Sequence, residues 1–268
     1  MKNRNKFFGT GVALVTPFKS NGGVDYKSLE KLVQHIIKGG CEYLVVLGTT
    51  GEGVTLNASE KKLVVETVIK TNKGRLPIVL GMGGNNTIQV VDEMLATDFR
   101  GIDAILSVSP SYNKPSQAGI IEHFKLISKV CPLPIILYNV PGRTGSNMLP
   151  STVLEIAKTC SNVIGIKEAS GNVEQAMSII ENKPADFLVI SGDDGITLPL
   201  VAAGAVGVIS VVANAYPKKF SQMVRAALKN EYKLAQKLYY PFHSFIPLLF
   251  QEGNPAGVKF VLAELKIM

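Results

Sequence analysis

Short apolar runs alternate with longer segments of helical periodicity along the whole chain. Eight runs read as strands: residues 11–16, 43–47, 77–81, 103–108, 134–139, 163–167, 187–191 and 206–211. Most are rich in Val, Ile and Leu with little polar alternation, the pattern of parallel strands buried on both faces. Helical patterns lie between them, for example over residues 59–73 and 151–159, and Asn57 with Glu60 has the spacing of a capping box at the start of the former. A strand followed by a helix, eight times over, predicts an α/β chain closed into a (β/α)8 TIM barrel. A doubly wound open sheet is the alternative. It calls for a Gly-rich fingerprint after the first strand, which Gly9 and Gly11 do not supply, and the run Gly81-Met82-Gly83-Gly84 reads as a tight turn.

Past the eighth strand, residues 217–229 complete the last barrel helix. Residues 231–250 and 255–265 read as further helices, with breaks expected at Pro241, Pro247 and Gly253. The expected division is a barrel over residues 1–230 and a C-terminal helical extension over residues 231–268, packed on the barrel.

Composition narrows the class. The 268 residues are 46% hydrophobic and 18% charged, enough for a sizeable core and too apolar for disorder. Mean hydropathy is +0.22 and the isoelectric point is near 9.2. The net charge of +7 is scattered, with Lys61-Lys62 and Lys218-Lys219 as tight basic pairs. No aromatic-interleaved basic stripe marks a nucleic-acid groove, so no nucleic-acid partner is expected. Residues 198–212 form an uncharged stretch, shorter than the roughly 20 residues a membrane helix needs and cut by Pro199, Gly204 and Gly207. No membrane partner and a cytoplasmic location are expected. Cys41, Cys131 and Cys160 are odd in number, with no CxxC, and fit a reducing compartment.

Catalytic groups of such barrels sit at the C-terminal ends of the strands. Those ends carry Gly48-Thr49-Thr50-Gly51-Glu52, Ser111-Tyr112, Tyr138-Asn139, Lys167-Glu168, Ser191-Gly192-Asp193-Asp194 and Ile209-Ser210. Lys167 closes an apolar run, where burial disfavours the charged amine and leaves a nucleophile for a ketone carbonyl. A strand-end lysine that snorkels to solvent gives the same pattern. Tyr138 ends the neighbouring strand, and its phenol can donate and accept the protons that Schiff-base chemistry moves. Thr49 and Thr50 offer hydroxyls and turn amides for a carboxylate. Arg143, in a Gly-bracketed loop, suits a second carboxylate held bidentately. His35, His123 and His243 end no strand, so no metal site is expected. Asp193 and Asp194 read as caps of the following helix rather than metal ligands. Ser191 and Ser210 have no strand-end histidine to activate them.

Three motifs occur in order at these strand ends: Gly48-Thr49-Thr50-Gly51-Glu52, Tyr138-Asn139-Val140-Pro141-Gly142-Arg143-Thr144 and Gly165-Ile166-Lys167-Glu168-Ala169-Ser170-Gly171. With the opening Gly11-Val12-Ala13-Leu14-Val15-Thr16-Pro17-Phe18 and the later Asn254-Pro255, the chain resembles the dihydrodipicolinate synthase/N-acetylneuraminate lyase family over nearly its whole length. The Gly-Arg-Thr after the tyrosine resembles the synthase branch. The resemblance implies condensation of pyruvate with L-aspartate 4-semialdehyde to 4-hydroxy-tetrahydrodipicolinate, in lysine and diaminopimelate biosynthesis, with no cofactor. It implies that Lys167 forms the imine and that Tyr138, Thr49 and Tyr112 form a proton relay. Tyr112 would come from a neighbouring subunit of a homodimer or homotetramer. Thr50 and the backbone of Ile209 would bind pyruvate with the Gly192 carbonyl nearby, and Arg143 would bind the second substrate.

Two departures stand out. Regulated members resemble one another in a lysine-binding cleft built on histidine, glutamate and a second tyrosine. Here that stretch ends in Ala58 and is followed by Lys61, Gln89 stands for the acid and Ser111 for the tyrosine, so feedback by lysine is expected to be weak or absent. The chain also ends at Met268, earlier than the family pattern implies, which puts the last helical stretch and the tetramer contacts in question. The rival readings are a pyruvate-dependent aldolase or dehydratase acting on a sugar acid, a non-catalytic keto-acid-binding barrel, and a metal-dependent barrel hydrolase.

Overall fold

The structure, a computed structural model, describes residues 4–268. Among these, eight parallel strands close into a barrel in sequence order. They are β1 Gly9–Ala13, β2 Tyr43–Val46, β3 Ile78–Gly81, β4 Ala104–Val108, β5 Ile135–Asn139, β6 Val163–Glu168, β7 Leu188–Ser191 and β8 Gly207–Ser210. β8 pairs with β1 from Gly9↔Gly207 to Val12↔Ser210, so no edge is left open and the open-sheet alternative falls away. The barrel strands lie within two residues of the expected bounds at their starts.

The first strand is shifted from the expected 11–16. The Leu14 amide still donates to the Val45 carbonyl of β2 at 3.0 Å, and from Val15 onward the ladder is replaced by other partners. The Val15 amide donates to Asn214 Oδ1, and the Thr16 hydroxyl donates to the Gly51 carbonyl at 2.6 Å. A strand pattern in sequence cannot tell a ladder bond from a bond to a loop.

Helices α1 Tyr26–Gly39, α2 Ala58–Asn72, α3 Thr87–Ala96, α4 Gln117–Val130, α5 Pro141–Thr144, α6 Pro150–Thr159, α7 Val173–Asn182, α8 Thr197–Ala202 and α9 Pro217–Leu228 follow in the loops between and after the strands. The expected capping box at α2 is present in both directions between Asn57 and Glu60. Asp25, Asn86, Ser116 and Asn172 cap α1, α3, α4 and α7 with their side-chain oxygens.

Three more helices complete the chain: α10 Tyr232–His243, α11 Phe245–Gln251 and α12 Ala256–Glu264. The breaks differ from expectation. Pro241 lies inside α10, the interruption falls at Ser244, and Pro247 sits in the first turn of α11, where a missing N–H costs nothing. Gly253, at φ 82°, does separate α11 from α12.

The core has two layers. An inner cluster, including Val79, Leu106, Ile136, Ile190 and Ile209, fills the barrel, and Phe7 closes its lower end edge-on against Tyr43. A larger cluster lies between the strands and the helices. Among the described residues no helix is long and apolar enough to cross a membrane.

Candidate active site

Lys167 and Tyr138 face each other because of an irregularity in β6. Successive residues of a strand point to opposite faces. In β5, Ile136 and Tyr138 point into the barrel, while Ile135 and Leu137 belong to the outer layer. In β6, Ile164 is in the inner cluster, yet Ile166 is in the outer one. The pairing explains this: Ile135 pairs with Val163 and Ile136 with Gly165, so Ile164 is an extra residue, a bulge. The bulge reverses the alternation. Lys167 therefore turns inward beside Tyr138, its register partner, and Glu168 turns outward beside Asn139. Gly165 permits it, since a Cβ there would lie 2.6 Å from the Leu188 carbonyl.

The lysine amine lies 4.2 Å from the centroid of the Tyr138 ring, and both residues are 6% exposed. The snorkelling alternative is therefore not realised. The Thr49 hydroxyl points at the Tyr138 hydroxyl from 3.5 Å, the outer limit of a hydrogen bond. This places an amine, a phenol and an alcohol at the same barrel mouth.

The other expected residues take separate positions. Thr50 is buried and its Oγ1 accepts from Asn254 Nδ2 at 2.9 Å, while the Asn254 carbonyl accepts from the exposed Arg143 guanidinium at 3.2 Å. Thr50 and Arg143 are thus linked through one residue of the C-terminal helical region. Gly192 sits against β6: its amide donates to the Glu168 carbonyl at 2.7 Å, and a Cβ would meet the Ala169 Cβ at 2.5 Å. Ile209 is buried in β8, paired with Gly11. Tyr112 stands apart. Its side chain is 85% exposed, its backbone holds φ 70°, and its amide donates to the Thr144 carbonyl. Within one chain the structure joins Thr49 to Tyr138 but leaves Tyr112 outside that pair.

Asp193 and Asp194 correct the expectation of helix caps. The residue at the N-cap of α8 is Ile196, and no side chain caps that helix. Asp193 Oδ1 accepts from the Gly195 amide at 2.7 Å, closing a local turn. Asp194 is buried and reaches across to the end of β8, where its Oδ2 accepts from the amides of Val211 and Val212 at 2.9 and 3.0 Å. Burial pushes its carboxyl up to about 6, against the opposing hydrogen bonds from Ser210, Val212 and Val211.

Two features of the site escape a reading of the sequence. Asn254 stands there only as part of an Asn-Pro motif, and its link to Thr50 spans 204 positions. The polar residues directly after the two strand-end groups, Asn139 and Glu168, carry no evident role in sequence. Their position one step beyond Tyr138 and Lys167 is the available signal. Among the described residues no group of three or more His, Cys, Asp or Glu side chains could hold a metal ion. A groove of about 710 Å³ on the outer ring between α1 and α2, lined by residues such as Lys27, Lys31 and Lys70, is remote from these strand ends.

A family model described as the dihydrodipicolinate synthetase family matches residues 6–268. The chain belongs to the dihydrodipicolinate synthetase family. A 4-hydroxy-tetrahydrodipicolinate synthase of Flavobacterium psychrophilum is 57% identical over 97% of this chain and 88% of its own length. Among solved structures, the chloride-inhibited dihydrodipicolinate synthase from Acinetobacter baumannii, complexed with pyruvate, is 40% identical with a TM-score of 0.94, covering 97% of this chain and 89% of that one. A monomeric dihydrodipicolinate synthase variant is 38% identical with a TM-score of 0.95, covering 98% and 88%. As a member of this synthetase family the chain shares the closed barrel of these structures, as its sequence implied.

Proposed function

We propose that this chain is a lyase that condenses pyruvate with L-aspartate 4-semialdehyde to 4-hydroxy-tetrahydrodipicolinate through a Schiff base on Lys167. The family membership and the relatives' shared name support this reaction over sugar-acid cleavage. The observation that carries the site is the inward pairing of Lys167 with Tyr138, amine over ring, with the Thr49 hydroxyl beside the phenol.

The chemistry follows from these groups. The Lys167 amine adds to the pyruvate ketone, water leaves, and the protonated imine becomes an electron sink. Loss of a methyl proton gives an enamine. Its carbon bonds to the aldehyde carbon, and the aldehyde oxygen takes up a proton. The amino group of the second substrate then displaces the lysine at the imine carbon, which closes the ring and frees the amine. Tyr138, with Thr49 as its neighbour, is the group placed to move these protons. Thr50, the Ile209 backbone and the Gly192 carbonyl receive the pyruvate part. Arg143, steadied by the Asn254 carbonyl, takes the carboxylate of the semialdehyde. In this reading residues 231–268 form an extension that contributes Asn254 to the barrel mouth.

Tyr112 completes the relay in a neighbouring subunit's site. Its exposure and its separation from Tyr138 within one chain support that role. Mixing Lys167→Ala and Tyr112→Phe chains tests it: mixed oligomers with one intact site regain activity, whereas failure to regain any while subunits exchange refutes it. Cys41, Cys131 and Cys160 are buried and outside any disulfide, and burial pushes the Cys41 thiol up to about 12, which fits a reducing cytoplasm.

Borohydride reduction in the presence of pyruvate, followed by peptide mass mapping, tests the central claim. A pyruvate-sized adduct on Lys167 is expected. Folded protein with saturating pyruvate and no adduct there would refute it. Turnover of pyruvate with aspartate semialdehyde, against cleavage of N-acetylneuraminate, separates the two family branches.

A further inference from the structure

The bulge that turns Lys167 into the barrel turns Glu168 the other way, into the layer between strands and helices, where it is 2% exposed. A carboxylate in such a place normally has a cation beside it. Among the described residues no Lys, Arg or His forms an ion pair with it. It is satisfied by neutral N–H donors instead. Oε1 accepts from the Ser170 amide at 2.7 Å and from Asn139 Nδ2 at 3.2 Å. Oε2 accepts from Asn139 Nδ2 at 3.0 Å and from Gln175 Nε2 at 3.1 Å.

The donors are themselves tied down. Asn139 Nδ2 also donates to Asn147 Oδ1 at 2.8 Å, and Asn139 Oδ1 accepts from the Met148 amide at 3.0 Å. Asn147 and Gln175 exchange hydrogen bonds in both directions, at 2.7 and 3.1 Å. None of these four side chains has a buried polar atom left without a partner. A fully satisfied buried network of this kind is rigid and specific, because any swap of donor for acceptor leaves a group unpaired in a low-dielectric site.

The network touches the carriers of the chemistry. Asn139 follows Tyr138 on β5, Glu168 follows Lys167 on β6, and Asn147 and Met148 follow the α5 turn that holds Arg143. Gln175 anchors the group to α7, and the Glu168 carbonyl also receives the Gly192 amide. We propose that Glu168 is a positioning residue: its buried carboxylate, through Asn139, Asn147 and Gln175, holds the Tyr138 strand, the Lys167 strand and the Arg143 loop in the one arrangement that supports imine formation and capture of the second substrate. The proposal rests on Lys167 and Tyr138 being the reacting pair.

The matched test reverses donor and acceptor. In Glu168→Gln the new amide faces only donors. In Asn139→Asp two carboxylates face each other. The double variant keeps one buried charge and one amide, now exchanged: the carboxylate carried at position 139 still accepts from the Met148 amide, and the Asn147 and Gln175 side-chain amides turn over together, so that Asn147 donates to position 139 and Gln175 accepts from position 168. Glu168→Gln, folded by circular dichroism, is expected to lower kcat and the rate of borohydride trapping at Lys167 by roughly tenfold or more, since small misplacements of reacting groups are costly. The KM for aspartate semialdehyde rises more than the KM for pyruvate, because the Arg143 loop loosens. The double variant recovers to within about threefold of the original chain, as expected where a donor–acceptor match is restored. A filler role would leave the trapping rate and both KM values unmoved in Glu168→Gln, and that outcome overturns the proposal. A folded double variant that recovers nothing also overturns it. Should Glu168→Gln not fold, the double variant alone carries the comparison with the original chain. Trapping of the original chain at a residue other than Lys167 would instead remove the premise and refute the reading of the site.

Discussion

Tyr138 and Lys167 are register partners on adjacent parallel strands, and the lysine amine lies 4.2 Å from the centroid of the tyrosine ring. The same ring carries the hydroxyl that lies beside Thr49. Tyr138→Phe keeps the ring and removes the hydroxyl. It is expected to lower kcat by about 10²- to 10⁴-fold, the usual worth of a general acid–base group, with a small change in the KM for pyruvate. Steady-state kinetics with both substrates checks this, and a kcat within a factor of about three would remove Tyr138 from the relay.

The inward turn of Lys167 depends on the bulge at Ile164 and on the bare backbone of Gly165. Gly165→Ala places a methyl 2.6 Å from the Leu188 carbonyl and 2.7 Å from its Cβ. The strand must shift, so trapping of pyruvate at Lys167 is expected to slow by at least roughly tenfold, and stability to fall by about 1–3 kcal/mol from overpacking. Equal trapping rates in the two chains would show that the bulge is not needed for the lysine's orientation.

Asn254 reaches Thr50 from the C-terminal helices. Its truncation to Ala removes one hydrogen bond, worth about 1 kcal/mol, and the KM for pyruvate is expected to rise about fivefold. The Arg143 contact runs to the backbone carbonyl and survives in the variant. The KM for aspartate semialdehyde should therefore move less. A larger effect on the semialdehyde than on pyruvate would place Asn254 with Arg143 instead of Thr50.

Feedback by lysine is expected to be weak or absent, because Ala58, Lys61, Gln89 and Ser111 stand where the resemblance implies lysine-binding groups in regulated members. A lysine titration of the initial rate checks this directly. Strong inhibition at physiological lysine would overturn it.

Two buried titratable groups bias stability in opposite directions with pH. Burial lowers His123 to about 4, and its Nδ1 lies 2.8 Å from the Thr87 hydroxyl. Its folded-state pKa is below the unfolded value, so its contribution is complete above pH 6.5 and is lost as pH falls towards 4, by about 3 kcal/mol at most. Asp194 is raised to about 6 from 3.8, by burial and with Asp193 adding repulsion. Its contribution is complete below the unfolded value and is lost as pH rises through 6, again by about 3 kcal/mol at most. His123→Gln should flatten the loss of stability on acidification, and Asp194→Asn should steepen it. Urea unfolding between pH 4 and 7 reads both slopes, and identical slopes in all three chains would refute the assignment.

Much of this was legible in the chain itself. Short runs of Val, Ile and Leu between turn residues mark the eight strands buried on both faces, and Asn57 with Glu60 caps α2 through contacts three residues apart. Strand ends could be read for chemistry because the barrel always presents them on one face. Where expectation failed, the deciding contact was distant. The first strand ended early because Asn214 takes the Val15 amide, and Asp194 serves the β8 turn rather than its own helix.

The sequence by itself determined the eight strands, the alternation with helices, and the residue types at each strand end, since periodicity and capping are local. Tertiary structure alone decided which way those residues face. A single extra residue opposite β5 reverses the alternation of β6, and within Val163–Glu168 only Gly165 hints at it. That inversion puts Lys167 beside Tyr138 and buries Glu168 among neutral donors. The partners come from separate elements, so only the closed barrel brings them within hydrogen-bond reach.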